Sequence, residues 1–66
     1  MDEDVRRAVE FLHANGYKVT GVTFDLFKTD GLAGVGLMPD GREIRFWIPD
    51  HPDQLAVLGS PRPSRL

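Results

Sequence analysis

The sequence predicts an α+β fold: a two-layer domain of order α-β-β-β-α, built on a three-stranded antiparallel meander, with the first helix packed on one face and a short C-terminal helix after the last strand. Three observations predict it. Apolar residues recur at helical spacing near the N-terminus. Three strand-like runs follow, with Asp-Gly between them. A short apolar stretch then stands between Pro52 and Gly59.

Val5, Ala8, Val9 and Leu12 fall at i, i+3, i+4 and i+7 and line one face of a helix starting near Asp2 or Asp4. The acidic first turn suits the helix dipole, and Asn15-Gly16 supplies a left-handed stop. Phe11 sits beside the stripe. Arg6, Arg7 and Glu10 sit away from it and read as a solvated face rather than as phosphate contacts.

Residues 17–28, 32–38 and 42–48 are the strand candidates, separated by Thr29-Asp30-Gly31 and Pro39-Asp40-Gly41. With loops of even length, Leu26 faces Val35, Phe24 faces Leu37, Val35 faces Phe46, Leu37 faces Ile44 and Ala33 faces Ile48. Every one of these apolar side chains then lies under the helix. Pro-Asp-Gly also suits a three-residue loop with a bulge, which pairs Val35 with Arg45; it is set aside because it scrambles that apolar face. Val19 and Val22 differ in parity, so the first strand is expected to be irregular near Gly21 and to bend toward the helix. Residues 50–59 combine an N-cap candidate, an early proline, an apolar stretch and a final glycine, the pattern of a two-turn helix. Residues 1–59 form one domain, and residues 60–66, with Pro61, Pro63, Arg62 and Arg65, are expected as an extended, flexible tail.

The same register puts three rows on the opposite face: Phe27, Gly34 and Trp47; Asp25, Gly36 and Arg45; Thr23, Met38 and Glu43. Glycines form the floor of the first two rows. Two uses of this surface are open. Trp47 and Phe27 can cover Gly34 while Arg45 reaches Asp25, with the second helix folded over them. Alternatively Trp47, Phe27, Arg45, Asp25 and Met38, over Gly34 and Gly36, form a shallow groove for a protein partner, since Trp, Phe, Arg and Met are enriched where interfaces gain their energy.

Composition narrows the classes. The chain has 66 residues, 41% hydrophobic and 27% charged, with net charge −2 and no cysteine. Such a length supports one small core, and without cysteine there is no disulfide and no thiolate metal site. The N-terminal Met-Asp-Glu-Asp is unlike a signal peptide, and no apolar run approaches a membrane span, so a cytoplasmic protein is expected. Leaving out Arg62 and Arg65, six basic and ten acidic residues remain, against the needs of a nucleic-acid binder. His13 reads as a helix-end residue, and Asp50-His51-Pro52-Asp53 as a helix start rather than a metal site. Gly31, Gly34 and Gly36 lie in a turn and a strand, not at the helix start that a phosphate loop requires. No catalytic residue, cofactor or metal is expected.

In element order the chain is similar to the double-stranded RNA-binding domain. In that family lysines at the start of the second helix grip phosphate, where this chain has Asp50-His51-Pro52-Asp53. The order also resembles that of some small phage-encoded inhibitors of bacterial defence, such as certain anti-CRISPR proteins, with no motif in common. The expectation is a non-enzymatic module that docks on a larger protein or on a second copy of itself, in the setting of a host-directed inhibitor or accessory protein. Nucleic-acid binding is the alternative, carried by the basic tail and Arg6-Arg7.

Overall fold

Helix α1 spans Glu3–Ala14 in the computed structural model, which describes residues 2–26, 30–51 and 53–63. Asp2 caps it from an extended backbone, its carboxylate accepting the Asp4 N–H at 3.0 Å. Glu3 and Asp4 add negative charge where the helix dipole is positive. At the other end Gly16 takes a φ of 91°, Tyr17 N–H donates to the Leu12 carbonyl at 2.8 Å, and Gly16 N–H donates to the His13 carbonyl at 3.0 Å. These two bonds satisfy carbonyls that the helix leaves open, and they require the left-handed residue that Gly16 supplies. Ala8 and Leu12 are buried and Phe11 joins the core, whereas Val5 and Val9 are only half-buried.

Among the described residues five strands follow: β1 (Gly21–Phe24), β2 (Gly31–Leu37), β3 (Arg42–Pro49), β4 (Val57–Leu58) and β5 (Arg62–Pro63). All pairings are antiparallel, in the order β1-β2-β3-β4, with β5 also alongside β3. The fold is α+β, with α1 touching β1 and β2.

Both expected registers are displaced. Val35 pairs with Arg45, not Phe46, and Gly34 pairs with Phe46. The reason lies in the turn. Gly41 N–H donates to the Met38 carbonyl at 3.0 Å, Met38 N–H donates to the Arg42 carbonyl at 2.9 Å, and Gly41 takes a φ of 89°. Pro39-Asp40-Gly41 is therefore a three-residue loop with its left-handed position at glycine. A two-residue loop would have set Pro39 opposite Arg42, where a ladder N–H is required and proline has none. On the other side Phe24 pairs with Gly34 and Val22 with Gly36, so Phe24 does not face Leu37. Gly31 is the first residue of β2, paired with Pro49, and has no positive φ, so it is not part of a two-residue turn. Thr20 N–H donates to the Leu37 carbonyl at 2.8 Å while Gly21 is the Cα partner of Leu37. Two residues thus face one, which is the irregularity expected near Gly21, and it lets Val19 and Val22 both pack on the core.

Asp40 secures the loop. Its carboxylate accepts the Arg42 backbone N–H at 3.0 Å and the Arg42 Nε–H at 2.7 Å. The backbone hydrogen bond, then the side-chain one, holds its pKa below the ordinary 3.8. A carboxyl with a depressed folded pKa contributes stability that is present above the unfolded value and is lost as pH falls through the folded value. A carbon-detected NMR titration is expected to place the Asp40 midpoint below 3.8, with the hairpin amides of Gly41 and Arg42 shifting at the same midpoint; a midpoint at or above 3.8 contradicts these bonds.

The C-terminal helix expected over residues 50–59 is absent: Val57–Leu58 pairs with Trp47 and Phe46 as a strand. Pro52 lies outside the described residues. A two-turn helix is marginal by itself, whereas the strand gains ladder bonds along the β3 edge, including Gly59 N–H to the Arg45 carbonyl at 2.9 Å. Its side chains alternate, Leu58 packing on the core while Val57 is 54% exposed. Arg62–Pro63, in the segment expected as a tail, pairs with Glu43 and Arg42; residues 64–66 lie outside the described residues. The helix-sheet-helix order shared with RNA-binding domains and with phage inhibitors is therefore not formed.

The core is Ala8, Leu12, Met38, Ile44 and Phe46, with Tyr17, Val19, Val22, Phe24, Leu32, Ile48 and Leu58 around it. Phe24 and Phe46 flank Gly34 and meet edge to face, centroids 6.2 Å apart. Gly36 is the space into which Leu12 settles, and Gly34 lets the β1 backbone at Thr23 and Phe24 come close.

Candidate functional site

Antiparallel partners point to the same side, so the pairings fix both faces of the sheet. A Cβ on Gly36 would meet Leu12, Val19 and Ile44, which places the even-numbered residues of β2 under the helix. The opposite face carries Thr23 from β1 and Asp25 just after it, then Ala33, Val35 and Leu37 from β2. Glu43, Arg45 and Trp47 come from β3, with Val57 and Arg62 from the C-terminal strands. No helix of the described residues lies on this face.

The expected site residues divide accordingly. Trp47, Arg45 and Asp25 share the outer face, and Arg45 donates to the Asp25 carboxylate at 2.9 Å. Gly34, Gly36 and Met38 face the helix side and are buried, so they are not part of that surface. Phe27 lies outside the described residues. Val35, Leu37, Val57 and Arg62 belong to the face and were missed in the sequence. Alternation along β2 and along residues 55–58 carries three of them once the register is known; Arg62 stands in a segment with no strand pattern.

Trp47 is half-buried, and its indole Nε1 lies 3.0 Å from where a Gly31 Cβ would stand. A ring laid against a strand glycine covers backbone that would otherwise be wetted. Beyond the ring the face is shallowly hollowed on both sides of Arg45. One hollow, of about 250 Å³, is lined by Asp25, Ala33, Arg45, Trp47, Val57 and Gly59. The other, of about 370 Å³, is lined by Val35, Glu43, Arg45, Arg62 and Pro63. The first is mainly apolar and the second carries two guanidinium groups and one carboxylate. Leu37 is 44% exposed at the far end.

The histidines stand elsewhere. His13 is exposed in the last turn of α1, and His51 is exposed after β3. Among the described residues no group of three or more His, Asp or Glu is placed to hold a metal ion, and no helix is long and apolar enough to cross a membrane. Arg6 is held by Glu3 and by Glu10, the latter at 3.0 Å, on the exposed side of α1. Its guanidinium pKa is raised, first by the hydrogen bond to Glu3. Held by acids, it is poorly free to grip a phosphate. No family model, curated protein or solved structure matches this chain.

Proposed function

We propose that this chain is a non-enzymatic binding module that docks on another protein through the outer face of its sheet. One observation carries the reading: among the described residues no second layer covers the face opposite α1, and that face holds Trp47, Val57, Val35 and Leu37 around the Arg45–Asp25 pair. Leu37 and Val57 are exposed and Val35 and Trp47 half-buried, and apolar residues grouped this way on a small domain support an interaction surface. The two hollows support a partner of mixed chemistry. Beside Trp47 and Val57 it inserts an apolar side chain; between Arg45 and Arg62 it brings a carboxylate.

The test compares the wild type with Val57→Lys and Arg62→Ala as immobilised baits, and with Arg7→Ala on α1 as the control. Val57 and Arg62 are exposed, so the variants keep the fold. A partner captured by the wild type and by Arg7→Ala, and lost or weakened at least about tenfold with the other two, is the expected result. Binding of the purified partner should also shift the emission of the single tryptophan. Partners retained equally by all four baits would sink the proposal.

A further inference from the structure

The pairings along the far edge of β3 do not share one register. Val57 partners Trp47, Leu58 partners Phe46, and Gly59 N–H reaches the Arg45 carbonyl at 2.9 Å, yet Arg62 partners Glu43. Ser60 and Pro61 together therefore stand against Ile44 alone. That is a one-residue bulge, and it joins β4 and β5 into one interrupted strap over residues 57–63. Without the extra residue Pro61 would oppose Glu43, and Arg62 would turn to the helix side opposite Arg42. The bulge aims Arg62 onto the outer face instead.

The strap is weakly held. Pro61 and Pro63 have no N–H to give to a ladder. Leu58 is half-buried against the core, while Val57, Gly59, Ser60, Arg62 and Pro63 are exposed. By contrast β2 and β3 pair without a break from Gly31 to Leu37, with Ala33, Gly34, Gly36, Ile44 and Phe46 buried. Few buried apolar contacts and exposed backbone bonds are the marks of a segment that opens by itself.

We propose that residues 57–63 lift from β3 as one unit while α1 and the β1-β2-β3 sheet stay folded, and that this local opening dismantles the outer face. Once Leu58 leaves the core, the exposed Arg62 and Pro63 have no apolar anchor of their own, so the two pieces move together. The strap supplies Val57 and Gly59 to one hollow and Arg62 and Pro63 to the other. Opening therefore removes part of both walls at once and bares the edge of β3. A partner seated on the face would hold the strap down; that consequence rests on the docking reading, whereas the opening itself does not.

Alternate amides of a single strand test it. Gly59 donates to the Arg45 carbonyl, so the backbone groups of Glu43, Arg45 and Trp47 turn to the strap and those of Ile44 and Phe46 turn to β2. Hydrogen exchange of the wild type, followed by NMR and corrected for intrinsic rates, is expected to be at least about tenfold faster at Gly59, Trp47 and Glu43 than at Ile44 and Phe46. Low concentrations of urea should speed Ile44 and Phe46 steeply, since they await global unfolding, and barely change the other three, since the opening exposes little surface. Ala8→Gly in the buried face of α1 should speed Ile44 and Phe46 by roughly fivefold. It should leave Gly59, Trp47 and Glu43 as they were, because Ala8 keeps its contacts when the strap is open. Equal protection of Trp47 and Phe46, or an Ala8→Gly response shared by all five amides, would mean that the strap leaves only when the whole domain unfolds, and the proposal would fall. A Glu43 amide that opens separately from Trp47 and Gly59 would overturn the movement as one unit. Failure of the bait comparison above would leave all these rates unchanged, so the two readings fail separately.

Discussion

Replacing Gly34 with alanine is expected to cost about 3 kcal/mol or more and to lower the melting temperature by roughly 12 °C or more. A 66-residue domain holds only about 3–10 kcal/mol in all, so much of the population would unfold at ambient temperature. The cause is a collision with backbone, not with a side chain that can turn away. A Cβ at Gly34 would run into the Thr23 carbonyl oxygen and stand 2.9 Å from Phe24 Cα and from the Thr23 carbonyl carbon. Relief requires β1 to move away from β2. That motion breaks the Val22–Gly36 and Phe24–Gly34 pairings and draws the Phe24 ring off Phe46. Gly59→Ala is the matched control: its Cβ would meet Arg45 Cβ at 3.5 Å and the Arg45 carbonyl oxygen at 3.8 Å, ordinary contacts. It should remain within about 0.5 kcal/mol of wild type. Thermal melts followed by circular dichroism make the comparison. If Gly34→Ala melts with Gly59→Ala, the pairing of β1 with β2 is not as described.

The same collision shows why one strand of three was assigned to the wrong face in the sequence. The expected registers missed by an odd number of residues at both hairpins. Two odd displacements cancel between β1 and β3, so Asp25, Arg45 and Trp47 do share the outer face. They do not cancel for β2, whose Gly34 and Gly36 turn inward, as does Met38 just after it. Counting apolar side chains favours Ala33, Val35 and Leu37 as the buried set, because a glycine adds nothing to such a count. What a glycine contributes is room, and room is visible only once the β1 backbone stands against Gly34 and the Leu12 side chain against Gly36. The turn did carry local information: Pro39 lacks the N–H that an even loop would have used, and that single atom decides against the even loop. Helix α1 was legible for a different reason, since its caps at Asp2 and Gly16 and its apolar spacing are all local. The C-terminal strand was not legible. Leu55-Ala56-Val57-Leu58 has no clear period, and its conformation is settled by the unpaired edge of β3, a partner remote in sequence.

Leu12→Ala is expected to cost about 3–4 kcal/mol, because Leu12 is wholly buried and the surrounding sheet cannot collapse into the space it leaves. Gly36→Ala alone is also expected to destabilise, by about 1–2 kcal/mol. Its Cβ would stand 2.7 Å from Leu12 Cδ1, 2.9 Å from Val19 Cγ1 and 3.4 Å from Ile44 Cγ2. These neighbours are ends of side chains, so the collision is softer than at Gly34. The two substitutions should not add. Once Leu12 is truncated, the atom closest to the new methyl group is gone, and that methyl fills part of the cavity. An alanine in a strand is also less costly to order than a glycine. The double variant should therefore be more stable than Leu12→Ala alone by about 1 kcal/mol, a coupling of about 2–3 kcal/mol between the two sites. Urea unfolding of all four proteins, with sucrose added equally to keep each transition in range, measures it. Additive losses would mean that Gly36 does not face Leu12, and the inward orientation of β2 would have to be abandoned. Recovery by Gly36→Ala in the Leu12→Ala background, and its absence with Gly59→Ala there, would show that the glycine at Gly36 is the space in which the helix rests.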